Sequence, residues 1–193
     1  ADRSAQDLAN AHRLWGKRLR GVREMIPAKP AGPRLHLGLV SGDLRWHSVA
    51  FFLLGMLRGL NREKFEVTLF NENPTDDEMS GVLKSQADGW VNTRDFDNRR
   101  WVKTVRRCRV DLMVDLSGHT AYNRLSALSF GVAPVQLTWL GYPTITGSPA
   151  LDFWITDPVV CPPVEQGEVF PEKPLRLPGG FHPYHPPVSP DAM

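Results

Sequence analysis

Cysteine is nearly absent: two residues in 193, Cys108 and Cys161, with neither metal-ligand spacing nor the density of a disulfide scaffold. Charge of one sign is also missing. The 23 Lys and Arg against 21 Asp and Glu leave a formal net charge of +2, too weak a field to argue for nucleic acid or an anionic membrane. No apolar run approaches the ~20 residues of a membrane span, and the charged N-terminus lacks the apolar centre of a signal peptide. There is no P-loop, no GxGxxG after a first strand, no GxSxG elbow and no HExxH, which removes the common nucleotide-hydrolase, dehydrogenase, esterase and zinc-protease readings. His182 and His185 are three apart, but they lie among prolines without partner carboxylates, a poor metal pair. A soluble protein of a reducing compartment, placed in the cytoplasm, is the expectation. At 41% hydrophobic and 23% charged residues, the chain is long enough for one domain with a buried core.

What is present is organised around Asp111–Gly147. Leu112–Leu116 is a short apolar run ended by turn residues, which reads as a buried strand. Ser117-Gly118-His119-Thr120 opens a helix expected over Ala121–Phe130 and stopped by Gly131. A second strand, Pro134–Leu140, leads into the turn Gly141–Gly147. Two polar turns thus leave two consecutive strands at one sheet edge, and in open α/β sheets ligands bind outside the carboxyl ends of the strands.

The remaining chain repeats that alternation. Strands are expected at Leu35–Val40, Phe65–Phe70, Trp90–Val91 and Leu151–Ile155, with helices at Ser48–Leu60, Asp77–Ala87 and Arg99–Cys108. This predicts a Rossmann-like, doubly wound, mainly parallel α/β sheet with right-handed crossovers. Ahead of it, Leu8, Ala11, Trp15, Leu19, Val22 and Ile26 recur every three or four residues, one face of an amphipathic helix over 1–26 that must dock on a neighbour. Residues 27–34 read as a proline-rich linker. From Cys161 onward the proline-rich text predicts an extended segment, with 35–187 as the domain and 188–193 as a tail.

Within this frame His47 follows the first strand, in a loop ending at a helix N-terminus, where free N–H groups favour the neutral, proton-accepting imidazole. It suits a general base, or it packs or caps at the loop. His119 and Thr120 share the same sheet edge; Thr120 also suits a helix N-cap. Arg124 reaches a phosphate or faces solvent. Gly141 directly after a strand lets backbone approach a ligand closely, or with Pro143 it shapes a turn. The arginines and lysine of Arg99–Arg109 read as a solvated helix face.

GHTAYNRL, APVQLTWLGYP and LDFWITDPVVCPP together resemble the O-linked N-acetylglucosamine transferase family (glycosyltransferase family 41), in its bacterial and SPINDLY-like branch. The resemblance runs from about Ala11 to Pro187 and covers the N-terminal half of the catalytic region. It implies one Rossmann-like half of a GT-B glycosyltransferase, with 1–26 as a linker helix after tetratricopeptide repeats; no ~34-residue repeat occurs within the chain itself. The implied reaction is inverting, metal-independent and cofactor-free transfer of N-acetylglucosamine, or a related sugar, from a uridine diphosphate donor to protein Ser or Thr hydroxyls. The resemblance makes His47 the candidate catalytic base and puts His119, Thr120, Leu140, Gly141, Tyr142 and Pro143 at the sugar pocket. The donor nucleotide would sit mainly on a second half that this chain does not include, so the chain alone is expected to be inactive. Two positions depart from many relatives: Ile145 replaces a hydroxyl residue and Cys108 an acid. Both lean toward the alternative, a non-catalytic protein-interaction module that keeps the fold.

Overall fold

Seven strands and five helices carry the architecture of this computed structural model, which describes residues 5–19, 21–29, 32–163 and 171–184. The strands are β1 (Leu35–Ser41), β2 (Phe65–Asn71), β3 (Gly89–Asn92), β4 (Leu112–Asp115), β5 (Val135–Thr138), β6 (Phe153–Thr156) and β7 (Lys173–Arg176). They form one sheet in the order β3-β2-β1-β4-β5-β6-β7, and every pair is parallel. The helices are α1 (Ala5–Gly16), α2 (Ser48–Gly59), α3 (Glu78–Ser85), α4 (Asn98–Cys108) and α5 (Leu125–Leu128).

Strands buried on both faces explain the unbroken apolar runs. Leu39, Leu69 and Val114 point to one side, where Leu53 and Leu57 of α2 and Leu83 of α3 cover them. Their neighbours Val40, Phe70 and Met113 point to the other, under Trp101 and Val105 of α4 and Leu125 and Leu128 of α5. The doubly wound Rossmann-like expectation is met. The strand order reverses between β1 and β4, so the chains leaving these strands diverge to opposite faces and open a crevice at their carboxyl ends.

Three segments differ from the sequence expectation. The first helix stops at Gly16 instead of running to Ile26, and Val22 is 82% exposed. A turn closes there, with Arg18 N–H donating to Trp15 O. The chain then lies extended against the body: Arg23 donates to both carboxylate oxygens of Asp152 at 2.7 and 2.8 Å, and Glu24 N–H bonds Phe130 O. The helix expected over 121–130 shrinks to the single turn of α5. Tyr122 at φ 58° cannot sit in a right-handed helix, and the Asn123 side chain competes for local backbone by accepting from Leu125 N–H. Finally, the proline-rich end contributes β7. Pro174 is tolerated because β7 is an edge strand. The expected tail 188–193 and His185 lie outside the described residues. Among the described residues no helix is long and apolar enough to cross a membrane.

Arg124 neither reaches toward a ligand nor faces solvent. Its side chain is 10% exposed and pairs with Glu72, 2% exposed, at 2.6 Å, while donating to Phe96 O and Thr93 O. Glu72 also accepts from Trp101 Nε1 at 2.7 Å and from the Thr93 hydroxyl. Removing one partner would strand a buried charge. Arg124→Leu is expected to cost about 3–5 kcal/mol of unfolding free energy, read as a lowered urea midpoint.

Candidate active site

The loops leaving β1, β4 and β5 meet along one rim of the sheet. After β1, the buried Ser41 accepts from Asp43 N–H through its hydroxyl at 2.9 Å, and Leu44 is fully buried. Asp77, at the N-cap of α3, accepts from Trp46 N–H at 2.7 Å. This fixes His47 as the N-cap of α2, its Nδ1 accepting from Val49 N–H at 3.3 Å. A nitrogen that accepts carries no proton, so in the neutral ring the proton is on Nε2. That atom faces the Asp43 carboxylate at 3.9 Å, and the ring is 38% exposed. The ring is thus accessible, but its proton-accepting nitrogen is the one engaged, through a long bond, in the cap.

At the centre of the rim, the carboxylate of Asp115 closes the end of β4. It is fully buried and accepts from Ser117 N–H, Gly118 N–H and the Thr138 hydroxyl of β5 at 3.2, 2.8 and 3.0 Å. Burial pushes its pKa above the usual carboxylate value even against these donors. The turn it holds presents His119 and Thr120. Thr120 donates its hydroxyl to Ser117 O at 2.8 Å, so it braces the turn and is not the helix cap anticipated. His119 donates from Nε2 to Thr146 O at 2.8 Å, which leaves Nδ1 of the neutral ring as the acceptor.

The β5 loop packs on this turn through two glycines. A Cβ at Gly141 would fall 1.8 Å from Leu116 O, and one at Gly118, which has φ 55°, would fall 2.2 Å from Tyr142 Cβ. Leu140 takes φ 74°, with Gly141 N–H bonding Trp139 O, a tight three-residue turn that stores strain. Leu140 is buried, Tyr142 half-buried and Pro143 exposed. His119 and Tyr142 touch, ring centroids 5.3 Å apart. The His47 loop joins through Gly42 N–H to Ser117 Oγ at 3.4 Å; among the described residues no hydrogen bond or ring pair links His47 to His119 or Tyr142.

Neither departure from the relatives' pattern presents its side chain on the rim, although Ile145 belongs to the rim loop. Ile145 is enclosed with Trp154 and Cys161. Cys108 ends α4, which enters β4 from the opposite end of the sheet. Two residues of the rim were missed: Asp115, which merely ended an apolar run, and His12, not singled out at all. Nothing in the sequence linked His12 to a site more than a hundred residues away.

Residues 23–182 match the family described as Glycosyl transferase family 41. The chain belongs to that family. A SPINDLY protein of Oryza sativa subsp. japonica, named "Probable UDP-N-acetylglucosamine--peptide N-acetylglucosaminyltransferase", is 33% identical over 96% of this chain and 20% of its own length. Its counterpart in Hordeum vulgare is 34% identical over 98% of this chain and 21% of its own. A mutant O-GlcNAc transferase of Thermobaculum terrenum superposes with a TM-score of 0.87 at 31% identity, covering 97% of this chain and 37% of that one. The family-41 chain described here thus spans about a fifth of the length of the SPINDLY relatives.

Burial, and then the neighbouring His119, hold His12 below its ordinary pKa of 6.5. The proton therefore binds the unfolded state better, and the His12 contribution to stability is complete above pH 6.5 and lost as pH falls through 6.5 toward the lowered value. His36 and His182 shift the same way, so the His12 share is read by difference. Subtracting the stability of His12→Gln from that of the wild type at each pH is expected to give a gap that narrows below pH 6.5, by at most about 1.4 kcal/mol per pH unit.

Proposed function

We propose that this chain is the acceptor-side half of an inverting glycosyltransferase, moving N-acetylglucosamine or a related sugar from a uridine diphosphate donor to Ser or Thr hydroxyls of proteins. The observation that carries the reading is the convergence of the Asp43–His47 pair with the His119–Thr120 turn and the Gly141–Pro143 loop on one rim, at the reversal of strand order, in a family-41 chain. The activity named for the relatives supports it. A second Rossmann-like half facing this rim would hold most of the nucleotide, and tetratricopeptide repeats would precede α1.

In this reading His47 is the base. The acceptor hydroxyl displaces the long Val49 cap bond and gives its proton to Nδ1 as its oxygen attacks the anomeric carbon. The bond from that carbon to the diphosphate breaks on the opposite face, and the leaving group departs with the electron pair. The resulting imidazolium carries its Nε2–H toward the Asp43 carboxylate, 3.9 Å away. Tyr142, His119, Thr120 and the Leu140–Gly141 backbone shape the sugar pocket. The diphosphate charge is met by helix N-termini and basic residues of the second half, so the reaction as drawn uses neither metal nor cofactor. The alternative of a non-catalytic module rested on Ile145 and Cys108; the Ile145 side chain is buried with Trp154 and Cys161, and Cys108 lies at the opposite end of the sheet.

Two measurements test this. The isolated 193-residue chain, given UDP-N-acetylglucosamine and a Ser/Thr peptide, is expected to show no turnover; efficient turnover would refute the division of labour. In the complete enzyme, His47→Ala is expected to lower kcat by about 10²–10⁴-fold with donor KM little changed, and wild-type kcat would move the base elsewhere.

A further inference from the structure

The first helix is docked on the candidate pocket by its own backbone. A Cβ at Gly16 would lie 1.8 Å from Gly147 O, and a Cβ at Gly147 would lie 2.2 Å from His12 O. The absence of both side chains lets α1 rest directly on the loop that follows β5. From this base His12 and Trp15 reach the rim. The His12 ring stacks on His119, centroids 4.8 Å apart and planes 9° from parallel. Its Nε2 lies 2.9 Å from the Tyr142 hydroxyl. Trp15 meets the His119 ring edge-on at 4.5 Å. Four rings from three distant segments therefore form one block, and two of them, His119 and Tyr142, belong to the candidate sugar pocket.

Packing alone does not account for a histidine at this point. The residue is only 7% exposed, and its Nδ1 is buried without a hydrogen-bond partner among the described residues. An unpaired buried polar atom is unfavourable, so a linker helix needing only an aromatic wedge would be better served by phenylalanine. What imidazole adds is the bond from Nε2 to Tyr142. That bond fixes the phenol, whose Cβ already bears on the Gly118 turn, while the stack fixes the ring of His119.

We propose that His12 is a positioning residue of the transferase site: by its bond to Tyr142 and its stack on His119, it makes α1 part of the pocket and holds the β4 and β5 loops in register. The proposal rests on the reading of the rim as a sugar-transfer site. It also means that force or contacts acting on α1 reach the pocket through two side chains rather than through the sheet.

The test separates the two contacts. His12→Phe keeps a stacking ring and loses the bond; His12→Gln keeps an amide that can reach the Tyr142 hydroxyl and loses the aromatic stack. In the complete enzyme, His12→Phe is expected to melt at the wild-type temperature or above, because the orphaned nitrogen is gone, yet to lose at least tenfold in kcat/KM for UDP-N-acetylglucosamine. His12→Gln is expected to recover part of that loss. Wild-type kinetics in His12→Phe, or a loss that merely follows lowered melting temperature in both variants, would overturn the proposal. A second readout is independent of turnover: in the 193-residue chain, the ring resonances of Tyr142 and His119 are expected to shift in His12→Phe and His12→Gln respectively. Unmoved resonances would overturn the positioning role even in an active enzyme, whereas shifted resonances in an enzyme that neither binds donor nor transfers sugar would locate the failure in the transferase reading.

Discussion

Asp115 ends the strand at the centre of the sheet with a carboxylate sealed from water, and the rim is assembled around it. Its two oxygens collect two backbone N–H groups of the following turn and one hydroxyl of the next strand. Those donors belong to two segments, the turn that leaves β4 and the last residue of β5. The carboxylate thereby converts the register of β4 against β5 into the position of the His119 turn. Once the turn is fixed, Gly118 and Gly141 allow the β5 loop to close over it with no intervening side chain. The geometry of the pocket is in this sense an extension of the hydrogen-bond ladder.

The division between legible and illegible features follows the range of the interaction. The strands were readable because burial on both faces demands apolar runs, as in Leu112–Val114 and Phe153–Ile155. The turns were readable because glycine and asparagine mark them. The first helix was overextended because Val22 and Ile26 kept the 3.6-residue period after a tertiary interaction, Arg23 with Asp152, had already taken the chain elsewhere. The α5 helix was overextended for the opposite reason: a strained backbone at Tyr122 carries no composition signal. Arg124 was misread because its partner Glu72 lies 52 positions earlier.

For the site, the sequence supplied the residues on the rim and the resemblance supplied their roles. It could not supply the tautomers, which come from hydrogen bonds to Val49 and Thr146. Nor could it supply His12, whose contacts with His119 and Tyr142 exist only because α1 packs on the loop after β5. Rims built by topology hide this way: residues in turns are recognisable locally, while those that pack against them can come from anywhere.

The two ends of the sheet set how the molecule can associate. β3 and β7 are each four residues long, and β7 carries Pro174, which offers no amide hydrogen. Lateral growth by adding a strand is thus discouraged on both sides. The carboxyl ends of the strands are the open side, where another body can slide or hinge without breaking a single ladder bond.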